Sequence, residues 1–162
     1  MKPMVGLNDL TNRGATSVTQ ITKRSGNEVI VFICNKGGVA VDLSVTEIMN
    51  FKVVKPAGRI DWESARVLDK EIQQIIEGGF CHIAFNLDEV TFICSGGIGA
   101  LVYNLNKVRK MGGAIYIISS NDYINYIFET LKFDVVFDGY LYKTYEDFAT
   151  EVLEKSRADC KT

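Results

Sequence analysis

Histidine is almost missing from this chain: His82 stands alone among 162 residues. A single imidazole cannot build a histidine-based metal site. As a general base it would need a positioned nucleophile and an orienting carboxylate beside it. The four cysteines, at positions 34, 81, 94 and 160, show no C-x-x-C spacing and no paired pattern. That argues against a zinc site and a disulfide scaffold and for reduced thiols in a cytoplasmic compartment. Charge of one sign is also lacking. The net charge is −2, so no broad basic field invites nucleic acid, and basic residues do not cluster with aromatics. No apolar run approaches the roughly 20 residues of a membrane span. The first residues hold no apolar h-region, so no signal peptide is expected. A lysine-bearing phosphate loop is absent, and Gly97-Ile98-Gly99 lacks the third glycine of a dinucleotide fingerprint. Neither an internal repeat nor a low-complexity stretch occurs. No catalytic set, cofactor or metal is expected.

What is present is a soluble chain, 47% apolar, of a length that suits one domain. Residues 1–27 are polar and aperiodic and carry a net +3, against −5 on the remainder. They read as a flexible arm or irregular cover. The rest, 28–158, reads as one domain with a core at about 39–153. Residues 28–34 form an unbroken row of β-formers, Asn35-Lys36-Gly37-Gly38 is a turn signal, and 39–45 alternate apolar and polar. These make a hairpin with one solvated face. Residues 46–50 read as a turn and 51–56 as a strand closed by Pro56.

From position 51 onward strands alternate with helices, which predicts an α/β layer fold with mostly parallel pairing. Asp61 is the expected N-cap of the first helix, with Ala65, Leu68, Ile72, Ile75 and Ile76 as its buried stripe. Asp69 and Glu71 read as part of its solvated face. A buried strand follows at 82–87. Ile98, Leu101, Val102, Leu105 and Val108 are in helical phase after it, up to Gly112-Gly113. Residues 114–119 read as a strand buried on both faces. Ser120-Asn121-Asp122 offer caps for a third helix carrying Ile124, Ile127, Phe128 and Leu131 inward. Residues 135–137 read as a short last strand. Thr144 and Asp147 resemble a capping box for a fourth helix with Phe148, Val152 and Leu153 inside, and the tail after Lys155 reads as frayed.

The nonapeptide Thr91-Phe92-Ile93-Cys94-Ser95-Gly96-Gly97-Ile98-Gly99 lies where the buried strand meets the second helix. Ser95 falls at the expected N-cap, where its hydroxyl can accept a bond from an orphan N–H. A helix start favours negative charge, so a phosphate on Ser95 would be tolerated there. His82 opens a buried strand, where the structural reading of a lone histidine outweighs a catalytic one.

Phe92-Ile93-Cys94-Ser95-Gly96-Gly97-Ile98-Gly99 resembles the F-x-D-S-[ST]-G-[LI]-G signature of STAS domains, the fold of bacterial anti-sigma factor antagonists. Gly58-Arg59-Ile60-Asp61 is similar to the G-[RE]-[LI]-D that opens the family's first helix. His82-Ile83-Ala84-Phe85-Asn86-Leu87, Gly112-Gly113-Ala114 and the segment from Phe133 to Phe137 are similar to later blocks. The resemblance implies a STAS-like mixed sheet, mostly parallel, with about four helices and an extra N-terminal strand or hairpin. It also implies a non-enzymatic regulatory module that binds an anti-sigma factor serine kinase. That kinase would phosphorylate Ser95 and thereby be released, and a phosphatase would reset the switch. The implied partner-binding residues are Asp61, Cys94, Ser95, Gly96, Gly97 and Ile98. Two positions depart from the signature: Cys94 stands at the motif aspartate and Gly96 at the second serine or threonine. The competing expectation is a phosphorylation-independent STAS scaffold or sensor, using the hairpin for assembly, a homodimer included, or for ligand capture. A hydrolase or redox enzyme built on Cys94 and His82 is the weakest reading.

Overall fold

A computed structural model of the protein describes the backbone of residues 19–25, 28–34 and 40–159, and side chains from 43 to 158. Among the described residues eight strands form one sheet: β1 (Thr19–Ser25), β2 (Glu28–Cys34), β3 (Ala40–Ile48), β4 (Phe51–Ile60), β5 (His82–Asn86), β6 (Val90–Ile93), β7 (Ala114–Ile118) and β8 (Leu141–Tyr142). Their order is β1-β2-β3-β4-β5-β7-β8, and β6 pairs with β4. Strands β1 to β4 are antiparallel neighbours, and every pairing beyond β4 is parallel. The helices are α1 (Trp62–Glu77), α2 (Ser95–Lys110), α3 (Asp122–Thr130) and the single turn α4 (Phe133–Val136). A C-terminal helix runs as α5 (Tyr145–Phe148), a π-helical turn (Ala149–Leu153) and α6 (Glu154–Asp159).

The period-2 alternation of the strands sorts two cores. Val54 of β4, Ile83 and Phe85 of β5, and Ile115 and Ile117 of β7 face one way. They meet Leu68, Ile72 and Ile75 of α1, Leu101, Leu105 and Val108 of α2, and Ile124 and Phe128 of α3. Phe51, Val53, Ala84 and Ile118 face the other way, onto Phe148 and Leu153 of the C-terminal helix. Each fully buried Ile, Leu or Phe contributes about 1.5–3 kcal/mol of apolar transfer.

Strand β4 changes partner along its length. Phe51 to Val54 pair with β5, and Gly58 to Ile60 pair with β6. Pro56, which has no N–H, falls in the gap between those two ladders. It therefore does not end the strand, which runs on to Ile60. Gly58 sits at a register shift with φ of 94°, a backbone shape open to glycine.

Several expectations are corrected. Thr19–Ser25, expected within an irregular arm, is strand β1, paired with β2; residues 1–18 lie outside the described residues. The expected hairpin of β2 and β3 is present, with Cys34 opposite Ala40, while its turn lies outside the described residues. Strand β3 extends to Ile48, so the next turn is only Met49 and Asn50. The apolar segment at 135–137 is not a strand. Phe133–Val136 form a helical turn, and Phe133 and Phe137 both pack their rings edge-on against Phe128. The last strand is Leu141–Tyr142 instead. Leu131 is exposed rather than inward, Glu71 is buried, and the chain past Lys155 is helical to Asp159.

Candidate functional site

The site lies where β4 and β6 end side by side and α1 and α2 begin. Asp61 caps α1. Its Oδ1 accepts from the Ser64 N–H at 3.0 Å and from the Ser64 hydroxyl at 2.9 Å. The Ser64 N–H bond holds this carboxyl below the usual carboxylate range. Burial opposes that shift, and the Ser64 hydroxyl and the Arg59 charge reinforce it. Asp61 is therefore an anion at neutral pH. Arg59 lies over the Phe92 ring at 4.3 Å.

The cap of α2 is Cys94, not Ser95. The Cys94 backbone is extended, with φ −83° and ψ 166°, because its N–H completes the β4–β6 ladder to the Ile60 carbonyl at 2.9 Å. Its own carbonyl accepts from the N–H groups of Gly97, at 3.0 Å, and Ile98, at 3.2 Å. Helical geometry can start only one residue later. Ser95 is thus the first helical residue, its side chain is exposed, and its hydroxyl takes no part in capping. The thiol of Cys94 makes no capping bond and packs, half-buried, against the core.

Gly96 is exposed. A Cβ there would meet the Cys94 Sγ at 3.5 Å, an ordinary contact, so the turn has room for a side chain at this position. Gly97 has none: a Cβ would lie 2.9 Å from both Ile60 and Ile93. Ile98 is buried with Leu101 and Leu105. Gly97 and Ile98 therefore seat α2 on the sheet, and the accessible part of the expected set is Asp61, Cys94, Ser95 and Gly96.

An invisible missing piece in the sequence reading was β6. The expected strand at 82–87 ends at Asn86, the chain turns through Asp88 and Glu89, and Val90–Ile93 returns as a separate strand. Asp88 Oδ1 accepts from the Ser120 N–H at 2.6 Å and from its hydroxyl at 2.9 Å. Asn121 Nδ2 donates to the Val90 carbonyl at 2.7 Å. These bonds lock the loop before α3 to the loop before β6.

A second missed feature is an open cleft of about 270 Å³ between α1 and α2, lined by Trp62, Arg66, Gly96, Gly99 and Tyr103 among others. Trp62 is 66% exposed and Tyr103 56% exposed. The signal was readable: Gly96, Gly99, Ala100 and Tyr103 recur at i, i+3, i+4 and i+7.

His82 is far from all of this. It pairs with Phe51 at the start of β4, whereas Ile93 pairs with Ile60 at its end. At about 3.3 Å per residue the two ends are roughly 30 Å apart, so His82 and Cys94 do not meet. The His82 ring lies 5.2 Å from that of Phe51 and its buried Nδ1 has no hydrogen-bond partner; burial pushes its pKa down. Among the described residues, no group of three His, Cys, Asp or Glu could hold a metal, and no helix is long and apolar enough to cross a membrane. Cys81 and Cys94 are free thiols.

The sheet order and the paired helices behind a glycine-rich turn define the fold of the anti-sigma factor antagonists. An anti-sigma factor antagonist from Mycobacterium paratuberculosis superimposes with a TM-score of 0.62 at 23% identity, over 69% of this chain and 93% of its own. The anti-sigma factor antagonist SpoIIAA in its unphosphorylated form gives 0.56 at 15% identity, over 69% and 97%. The Bacillus cell fate determinant SpoIIAA in its phosphorylated form also gives 0.56 at 15%, over 68% and 98%. A sequence model of the STAS domain matches residues 42–150, more than half of the chain. The chain belongs to the STAS domain family.

Proposed function

We propose that this protein is a non-enzymatic, cytoplasmic anti-sigma factor antagonist that docks on an anti-sigma factor serine kinase through the face around Ser95. Phosphorylation of Ser95 breaks the docking, and a phosphatase restores it. The observation that carries the reading is the exposed, uncommitted Ser95 hydroxyl in the first turn of α2, directly after Cys94, whose N–H bonds the carbonyl of Ile60, the residue before Asp61.

The physics of the switch is local. The Ser95 oxygen attacks the γ-phosphorus of ATP held by the kinase. The bond to the leaving ADP breaks, and the hydroxyl proton is lost. The product carries about −1.5 to −2 charges and three acceptor oxygens. The first turn of α2 holds no acidic residue, and its N–H groups favour an anion by about 0.3–1 kcal/mol. The domain itself tolerates the phosphate, while a docked partner meets a new charge in its interface. The equal fold match to phosphorylated and unphosphorylated SpoIIAA suits a switch that leaves the fold alone.

One observation favours the second reading, a phosphorylation-independent scaffold. Cys94 and Gly96 flank the serine where the family signature carries an aspartate and a hydroxyl residue, so no neighbouring side-chain carboxylate from that turn orients Ser95. Intact mass after incubation with the cognate kinase and ATP separates the two. One added phosphate, abolished in Ser95→Ala, supports the switch. An unchanged mass in the wild type, together with stable kinase binding, supports the scaffold.

A further inference from the structure

We propose that Asn104 is a positioning residue for the switch: its bond to Asp69 sets the rotation of α2 against α1, and so the direction in which Ser95 is presented. This rests on the phosphorylation reading above and adds how the acceptor serine is held.

Asn104 is a polar residue in an apolar row. It lies on the inner stripe of α2 with Leu101, Leu105 and Val108, and it is 0% exposed. A buried amide costs stability unless its polar atoms are bonded. Here only half of it is. Nδ2 donates to Asp69 Oδ1 on α1 at 2.7 Å and to the Ala100 carbonyl, one turn back on α2, at 2.8 Å. Oδ1 is buried and has no hydrogen-bond partner among the described residues. Leucine shares the branching of asparagine and would leave no polar atom of its own unpaired, so stability alone does not account for the amide. What the amide adds is direction. Apolar contacts are non-directional, whereas a buried asparagine can fix the register of a helix pair.

The acceptor is itself held. Gln73 Nε2, one turn on along α1, donates to Asp69 Oδ2 at 3.0 Å. Among the described residues no other side-chain hydrogen bond ties α2 to α1. Near the switch the two helices meet through small residues: a Cβ on Gly96 would lie 3.9 Å from that of Ala65. The start of α2 is fastened to the sheet by the Cys94 N–H and by Gly97, which has no room for a Cβ beside Ile60 and Ile93. That is one fixed point. Asn104 follows Gly97 by seven residues, two turns further and on the same face. One fixed point leaves a helix free to turn about its axis, and a second stops it. Ser95 is nine residues from Asn104, roughly 13 Å along the helix. Asn104 therefore acts on the serine through α2 and touches neither kinase nor nucleotide.

Two readouts test this. In the 15N-labelled full chain, Asn104→Leu and Asp69→Leu should each move or broaden the amide signals of Ser95 and Gly96. The double variant should add nothing further, because both changes remove the same bond. Asp69→Asn keeps an acceptor oxygen and should restore the signals. Asn106→Ala, an exposed neighbour on α2, should leave them in place. With the serine kinase and ATP, kcat/KM for phosphate uptake should fall at least about tenfold in both leucine variants, as for a misplaced reacting group. It should return in Asp69→Asn. Signals that stay in place in both leucine variants overturn the proposal, as do effects that simply add. Asp69 is only partly buried, so Asp69→Leu carries the test even where Asn104→Leu fails to fold. The two ideas fail separately. A wild type that takes no phosphate, with amide signals that move as stated, overturns the switch and supports the hold of Asn104 on α2. A wild type phosphorylated on Ser95, whose leucine variants react at the wild-type rate, overturns the positioning role alone.

Discussion

The two ends of β4 are built in opposite ways. At the Phe51 end, the rings of His82, Phe148 and Tyr116 surround the Phe51 ring at centroid distances of 5.2 to 6.2 Å, and the C-terminal helix closes over them. At the Ile60 end, the strand gives way to two helix starts, an exposed serine and an exposed glycine. One end is closed by packed aromatic rings. The other holds its shape by backbone bonds and one capping carboxylate, and leaves its side chains uncommitted. The difference predicts that, if the open end is the docking face proposed above, stability and docking are separable in this domain, and variants should separate them.

The largest effect belongs to the closed end. Phe148→Ala should destabilise by about 3–5 kcal/mol, the cost of truncating a buried aromatic, as read by urea denaturation. Phosphate uptake at Ser95 by the fraction still folded should be unchanged. Loss of uptake by folded protein would mean the two ends are coupled, and the comparison would break.

Gly97→Ala tests the open end where it is not open. The new methyl would press on Ile60 and Ile93 and should cost about 1–3 kcal/mol, as overpacking does. Gly96→Ala, one residue earlier and with room to spare, should leave the unfolding midpoint almost where it was. The pair sharpens the contrast within two adjacent glycines.

These contrasts also mark what the sequence could and could not convey. Local chemistry was legible. Asp61 caps α1, Thr144 accepts from the Asp147 N–H at 3.1 Å, and the apolar phase of α2 runs from Ile98 to Val108. Features decided by distant pairing were not. Val90–Ile93 is too short to announce itself and becomes a strand because the end of β4 is available to it. The cap moved from Ser95 to Cys94 because the same ladder claims the Cys94 N–H. Val135 and Val136, β-formers by type, lie in a helical turn because Phe137 buries and Phe133 packs against Phe128. The cleft joins Trp62 and Tyr103 from separate helices; each wall repeats at i, i+3, i+4 and i+7, but nothing local brings the two walls together.

Asp61→Ala should cost about 0.5–2 kcal/mol, the range for a lost N-cap. It leaves the Ser64 N–H without its acceptor. Asp61→Asn, which keeps an acceptor oxygen, should recover most of the loss in a thermal melt. If docking depends on the Asp61 charge, Asp61→Asn should still weaken kinase binding while restoring stability. Recovery of both would reduce Asp61 to a cap.

Acid should reach the two ends in separate windows, and by small amounts because both groups are partly solvated. Burial makes folded His82 hold a proton less tightly than unfolded His82, whose ordinary pKa is 6.5. Below that value the unfolded chain binds the extra proton, so the His82 share of stability is complete above pH 6.5 and declines as the pH falls. Asp61 behaves alike in sign but lower on the scale. Its folded pKa lies below the ordinary 3.8, so its share is complete above that value and is lost as the pH drops through the folded one. Urea midpoints between pH 7 and pH 5 should therefore fall in the wild type and flatten in His82→Gln, while Asp61→Asn should leave that slope intact. A slope that vanished in Asp61→Asn instead would mean that the open end, and not the aromatic end, senses mild acid.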